Sequence, residues 1–129
     1  MNKLKWKRVY DQAGPSDGDR ILVDQLWPRG VTHEEAAIDG WAKDITPSSK
    51  LRQDYHHGEL DFDQFSEGYR EELEANPQFP AFVDDLNQRL SKNDVTLVYA
   101  GKEAGVTHLP TLKRQLEKAG VESESLPED

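Results

Sequence analysis

The sequence predicts an α/β protein: a small layered fold with a short, mostly parallel sheet and a helical insertion between the second and last strands. Three observations lead there. The apolar runs Ile21-Leu22-Val23 and Val95-Thr96-Leu97-Val98-Tyr99 lack the polar alternation of a half-exposed sheet, so each suits a strand covered on both faces. The residues between them carry helical spacing and capping pairs rather than strand alternation. The second run is followed by a further amphipathic segment, the strand-to-helix order of layered α/β proteins.

In chain order, residues 4–10 read as a first strand, with Leu4, Trp6 and Tyr10 on one side and Lys5 and Lys7 on the other. Residues 11–19, DQAGPSDGD, are dense in turn formers and short for a helical crossover. The first two strands are therefore either antiparallel neighbours or parallel with an unusually short link. The second strand covers 20–26 and stops at Trp27-Pro28-Arg29-Gly30. Beyond it, Thr32 and Glu35 have capping-box spacing, and Ile38, Trp41, Ala42 and Ile45 follow at i, i+3, i+4 and i+7, which predicts one amphipathic helix. Thr46 is the expected N-cap of the next helix, with Pro47 at its first position and Leu51 and Tyr55 one turn apart; that helix ends near His57-Gly58. Asp61 and Gln64 cap a third helix with the stripe Phe62, Phe65, Tyr69 and Leu73, ended by Asn76-Pro77. Phe82, Leu86 and Leu90 mark a fourth helix, residues 95–100 a core strand, and Leu109, Leu112, Leu116 and Ala119 a closing helix that starts at Thr107 and stops at Gly120. Residues 1–120 make one α/β domain, and 121–129, VESESLPED, with four acids and no base, read as an acidic, disordered tail.

The chain of 129 residues has 32% charged and 35% hydrophobic residues, yet its three Trp, four Tyr and four Phe supply the anchors of a folded core. A net charge of −9 argues against affinity for phosphate backbones, which needs a basic stripe, so no nucleic acid is expected. Lys3, Lys5, Lys7 and Arg8 read instead as a solvated strand face. The absence of cysteine excludes disulfides, thiolate metal sites and a cysteine nucleophile, and fits a cytoplasmic location. No apolar run approaches a membrane span. Without HxH or HExxH spacing no metal is expected, and without GxGxxG, GxxxxGK[ST] or GxSxG no cofactor loop or nucleophile elbow is expected either.

The candidate chemistry gathers where the strands should end. If the second and last strands are parallel, the turn after one faces the loop 101–106 after the other, and open α/β sheets bind ligands in such a crevice. Asp24 interrupts a buried run, so its charge needs compensation. Arg29 stands between Pro28, which fixes the backbone, and Gly30, which lets it turn, a good mount for a guanidinium that recognises carboxylate or phosphate. Trp27, like Trp41, sits on an apolar-patterned segment and reads as a core anchor rather than a stacking platform. Ser48 and Arg52 lie one turn apart near a helix N-terminus and suit an anion. His56 is a candidate proton carrier or ligand donor, and Lys102 follows the strand end Tyr99-Ala100-Gly101.

The segments RVYD (8–11), ILVDQLWPRG (21–30), EEA (34–36), PSSKLR (47–52) and TLVYAGK (96–102) together resemble the YeaO-like branch of the uncharacterised family known as domain of unknown function 488. The resemblance spans almost the whole chain. It implies an α/β fold, and it implies that Asp24, Trp27, Pro28, Arg29, Gly30, Ser48, Arg52, Tyr99 and Lys102 are motif positions. The chain departs from the family's pattern at Gln25, where Arg is usual, at the adjacent pair His56 and His57, where a single His is usual, and at residues 106–109, where His-Asn-Asn-Ala is usual.

The expected function is to bind, or act on, a small anionic metabolite carrying phosphate or carboxylate, in the crevice at the strand C-terminal ends. Arg29 and Arg52 would neutralise it, Lys102 would assist, and His56 or Asp24 would carry any proton. The alternative is a protein-interaction or regulatory module without catalysis, built on the acidic helix 61–75 and the tail.

Overall fold

The computed structural model describes residues 1–127. Strands β1 (Leu4–Arg8), β2 (Asp19–Leu22), β3 (Gly40–Trp41) and β4 (Val95–Tyr99) form a single parallel sheet in the order β1-β4-β2-β3. The first two strands are thus parallel but not neighbours, because β4 runs between them. Leu4 and Asp19 both pair with Val95, so β1, β4 and β2 start level and deliver their C-terminal ends to one edge. The short link from β1 to β2 crosses one face of the sheet through a 3-10 turn at Pro15–Asp17. Its Gly18 has φ 65° and lies so close to β4 that an added Cβ would sit 1.9 Å from the Asp94 carbonyl oxygen.

Alternation along β4 divides the core. Val95, Leu97 and Tyr99 join Leu4, Trp6, Ile21 and Val23 on one face, under the helices α3 (Phe62–Ala75), α4 (Gln78–Leu90) and α5 (Leu109–Lys118). Val98 joins Val9, Leu22 and Ala36 on the other face, covered by Trp27, Val31, Ile38 and Trp41. The last strand is therefore buried on both sides, as its unbroken apolar run requires. Asp61 and Gln64 form the capping box of α3, and Phe65, Tyr69 and Leu73 are its buried stripe. No helix among the described residues is long and apolar enough to cross a membrane.

Several local expectations are corrected. The helix predicted over Ile38 to Ile45 does not form: α1 is only His33–Ala36, closed by Ala37 in the left-handed region, and the chain then makes the edge strand β3 and a 3-10 turn at Lys43–Ile45. The i, i+3, i+4, i+7 spacing arises because Ile38 and Trp41 pack in one core while Ala42 and Ile45 pack in the other. Thr46 is not a helix cap. Its hydroxyl donates to Lys43 O and closes the 3-10 turn, and Ser48 caps α2 (Ser49–His56) by accepting from Leu51 N. The second strand ends at Leu22, three residues after it starts, and Val23 N makes the last bond to Val98 O before the chain turns away.

Residues 121–127 have no regular structure, but they run along β1 instead of leaving the domain. Glu124 N donates to Leu4 O, the Trp6 indole N–H donates to Ser123 Oγ, and Val121 is buried. An unpaired strand edge is a template for unwanted pairing, and this segment covers part of it. The last two residues of the predicted tail lie outside the described residues.

Candidate functional site

The loops that leave β2 and β4 at the common edge are tied together by Asp24. Its Oδ2 accepts from Ala100 N at 2.8 Å, its Oδ1 lies 3.4 Å from His108 Nε2, and its carbonyl accepts from the Trp41 indole at 2.6 Å. His108 stands just before α5, with Nε2 at 2.7 Å from Val23 O and its ring edge-on to Tyr69. Burial pushes the Asp24 carboxyl above the ordinary carboxylate range, although His108, the Ala100 N–H and Arg52 oppose the rise. Burial also pushes His108 below its usual value, helped by the Arg52 cation and opposed by Asp24 and the Val23 carbonyl. Both shifts favour the neutral forms of a buried pair.

The turn after Asp24 is held from within. The Trp27 indole donates to Val31 O, stacks on His33 at 4.1 Å and meets Trp41 edge-on, while the Tyr10 hydroxyl donates to Arg29 O. Gly30 takes φ 78°, as the turn demands. Arg8 secures the facing loop by donating to Ala100 O and Gly101 O.

Between these loops and α2 lies a cavity of about 350 Å³ lined by Asp24, Gln25, Trp27, Arg29, Arg52 and His108, among others. A second cavity of about 670 Å³ adjoins it, sharing Arg52, Phe65 and His108 and extending to Tyr55, His56 and Val106. Both fall in the size range of small-molecule sites. Arg52 stands where they meet. Its Nη2 donates to Gln25 Oε1 and Ser49 Oγ, its Nε is buried without a partner, and no carboxylate among the described residues forms an ion pair with it. Arg29 is exposed at the rim, also without an ion pair among the described residues.

The model of one family matches residues 3–128, nearly the whole chain. The chain belongs to the DUF488-N3i family, described as the inactive DUF488-N3 subclade. It is 42% identical over 105 residues to the uncharacterised protein YeaO of Escherichia coli K12, covering 81% of this chain and 89% of that protein. It is 34% identical over 114 residues to the uncharacterised proteins Mb3100c of Mycobacterium bovis and Rv3073c of Mycobacterium tuberculosis, covering 88% of this chain and 93% of each relative. No solved structure matches.

Within this DUF488-N3i chain the structure gathers Asp24, Trp27 and Arg29 with Arg52 around the first cavity, and Arg52 with His56 around the second. Four expected residues line neither. Ser48 is turned to capping, Tyr99 is buried in the core, Gly30 borders a different cavity beyond the turn, and Lys102 is exposed on its loop. Residues missed by sequence reasoning are His108, Gln25, Phe65 and Tyr10. His108 is far from Asp24 in sequence, and the usable signal is its place at the start of the helix that follows the last strand. Among the described residues no group of three or more His, Asp or Glu is placed to hold a metal ion.

Proposed function

We propose that this protein binds a small anionic metabolite, carrying phosphate or carboxylate, in the crevice between the loops after β2 and β4 and the helix α2, and that it binds without transforming it. The observation that carries the reading is Arg52: a guanidinium on the shared wall of two cavities, paired with neutral Gln25 and Ser49 rather than with a carboxylate. Arg29 adds a second cation at the rim. A planar guanidinium with free donors suits a carboxylate or phosphate bound through two oxygens.

Binding rather than catalysis is supported by the engagement of the surrounding hydroxyls. Tyr10 donates to Arg29 O, Tyr55 to Val106 O and Thr107 to Ala104 O, so none is poised on His108 as an activated nucleophile would be. The description of the family as inactive agrees with this reading. The interaction-module alternative has less support, because Arg70 already pairs with Glu67 and Glu74 on the acidic helix, and residues 121–127 are occupied along β1. Lys5 and Lys7 pair with Asp94 and Asp17, which leaves little free positive charge for a nucleic acid. A cytoplasmic location fits the lack of cysteine.

The test is a thermal-shift screen of phosphate esters and carboxylates against the wild type, Arg52→Met and Gln25→Glu. A ligand present at 100 times its dissociation constant adds about 2.7 kcal/mol to stability. The shift should vanish in Arg52→Met, and also in Gln25→Glu, where a carboxylate would clamp the guanidinium without changing the cavity's size. Equal shifts in all three proteins refute the assignment.

A further inference from the structure

The anion site contains a second unmatched group of opposite character. His108 Nε2 lies 2.7 Å from the Val23 carbonyl oxygen, which only accepts, so Nε2 carries the ring proton and Nδ1 of the neutral ring holds a lone pair. Asp24 Oδ1, 3.4 Å from the same Nε2, reinforces that tautomer. Nδ1 has no hydrogen-bond partner among the described residues, and the residue that carries it lines both cavities. Arg52, which lines the same two cavities, likewise has no partner for Nη1 among the described residues. The walls shared by the two cavities therefore present one group that only donates and one that only accepts.

We propose that His108 is a specificity-determining residue of this site: its Nδ1 accepts a hydrogen bond from a hydroxyl or amino group next to the ligand's anionic group. The preferred ligands are then hydroxy- or amino-substituted carboxylates and phosphate esters, not bare acids of the same size. The inference rests on the anion-binding reading above. A bare anion satisfies Arg52 and strips water from Nδ1 without replacing its hydrogen bond, and sites built to bond a substrate hydroxyl reject the analogue lacking it for this reason. Burial keeps the ring neutral, so the acceptor is present at neutral pH.

The experiment is a titration followed by NMR, with glycerol 3-phosphate and propyl phosphate as a pair that differs only in hydroxyls. Wild type should bind glycerol 3-phosphate roughly tenfold more tightly, the yield of one hydrogen bond. His108→Phe should bind the two equally. His108→Gln, which keeps a donor for Val23 O and an acceptor, should retain part of the preference if the Phe variant fails to fold. In the wild type the Nδ1 resonance, read by long-range proton–nitrogen correlation, should move with glycerol 3-phosphate and stay with propyl phosphate. Equal affinities that still depend on Arg52, or an unmoved Nδ1 resonance with bound glycerol 3-phosphate, overturn the role of His108 and leave the anion reading standing. If neither ester binds, or both bind Arg52→Met as well as wild type, both readings fall.

Discussion

Asp17 is the residue whose removal should cost this fold most per atom deleted. Its Oδ2 lies 2.7 Å from Arg20 Nη1, with side chains only 7% and 4% exposed. Both carboxylate oxygens also lie 3.2 Å from Lys7 Nζ, and Oδ2 accepts from Gly14 N. Asp17→Ala leaves two cations facing each other, one of them buried, and Arg20 already has an unpaired Nη2. Breaking a buried pair by deleting one partner costs about 3–5 kcal/mol, a large share of the roughly 5–15 kcal/mol that holds a domain together. The melting temperature should fall by roughly 10–20 °C. Urea unfolding should show a lower midpoint with an unchanged slope. The double variant Asp17→Leu with Arg20→Met should recover much of the loss, because it removes both desolvated charges. Burial alone would raise the Asp17 carboxyl, but the Gly14 N–H and the Lys7 and Arg20 cations outweigh it and hold it below the ordinary carboxyl value of 3.8. The native state then binds fewer protons than the unfolded chain below pH 3.8, so this stabilisation is complete above that pH and is lost as pH falls through the lower folded value. Asp17→Asn should flatten that acid limb. A loss below about 1 kcal/mol, the value of an exposed pair, would falsify the reasoning.

Three further outcomes are expected, two from proton linkage and one from backbone packing. Because burial holds His108 below 6.5, the unfolded chain takes up a proton there first, so stability is full above pH 6.5 and falls as pH drops toward the folded value; urea midpoints across a pH series should show this slope in wild type and not in His108→Gln. The raised Asp24 carboxyl acts oppositely, since the native state keeps a proton that the unfolded chain releases near 3.8, and stability falls as pH rises toward the raised value, a limb that Asp24→Asn should remove while steepening the one from His108, which loses the charge that opposes its burial. Gly18→Ala should destabilise by about 2 kcal/mol or more, because its φ of 65° and a Cβ only 1.9 Å from Asp94 O force the backbone to move; a melting temperature unchanged from wild type would show that the link does not lie against β4 as described.

The legible parts of the fold were those where one local rule acted alone. The capping pairs Thr32 with Glu35 and Asp61 with Gln64 both form, and the Phe65, Tyr69, Leu73 stripe is buried as its spacing requires. Misreading came where two cores share one stretch of chain. Residues 38–45 feed both faces of the sheet, so a helical period emerges from two separate packing demands. Strand order was unreadable for a related reason: a link of turn formers fixes how far the chain can travel but not whether a strand formed far later will slip between its ends. For the site, Arg29 and Arg52 were visible as cations on constrained backbone. His108 was not, because its meaning depends on Val23 O and Asp24, which only the parallel pairing of β2 with β4 brings to it.

Asp24 also bears on the proposed choice of binding over proton transfer at this site. A general acid or base needs a free lone pair or proton directed at the ligand. The Asp24 carboxylate instead faces the Ala100 amide on one oxygen and the His108 ring on the other, and its carbonyl holds Trp41. Such a residue positions its neighbours: it ties the two loops that form the crevice and fixes the His108 tautomer. Of the pair, the group left to meet a ligand is the unprotonated ring nitrogen of His108, a hydrogen-bond acceptor beside a guanidinium that has no nucleophile to activate. Under the proposed reading, that arrangement would select a molecule by its donors and its charge.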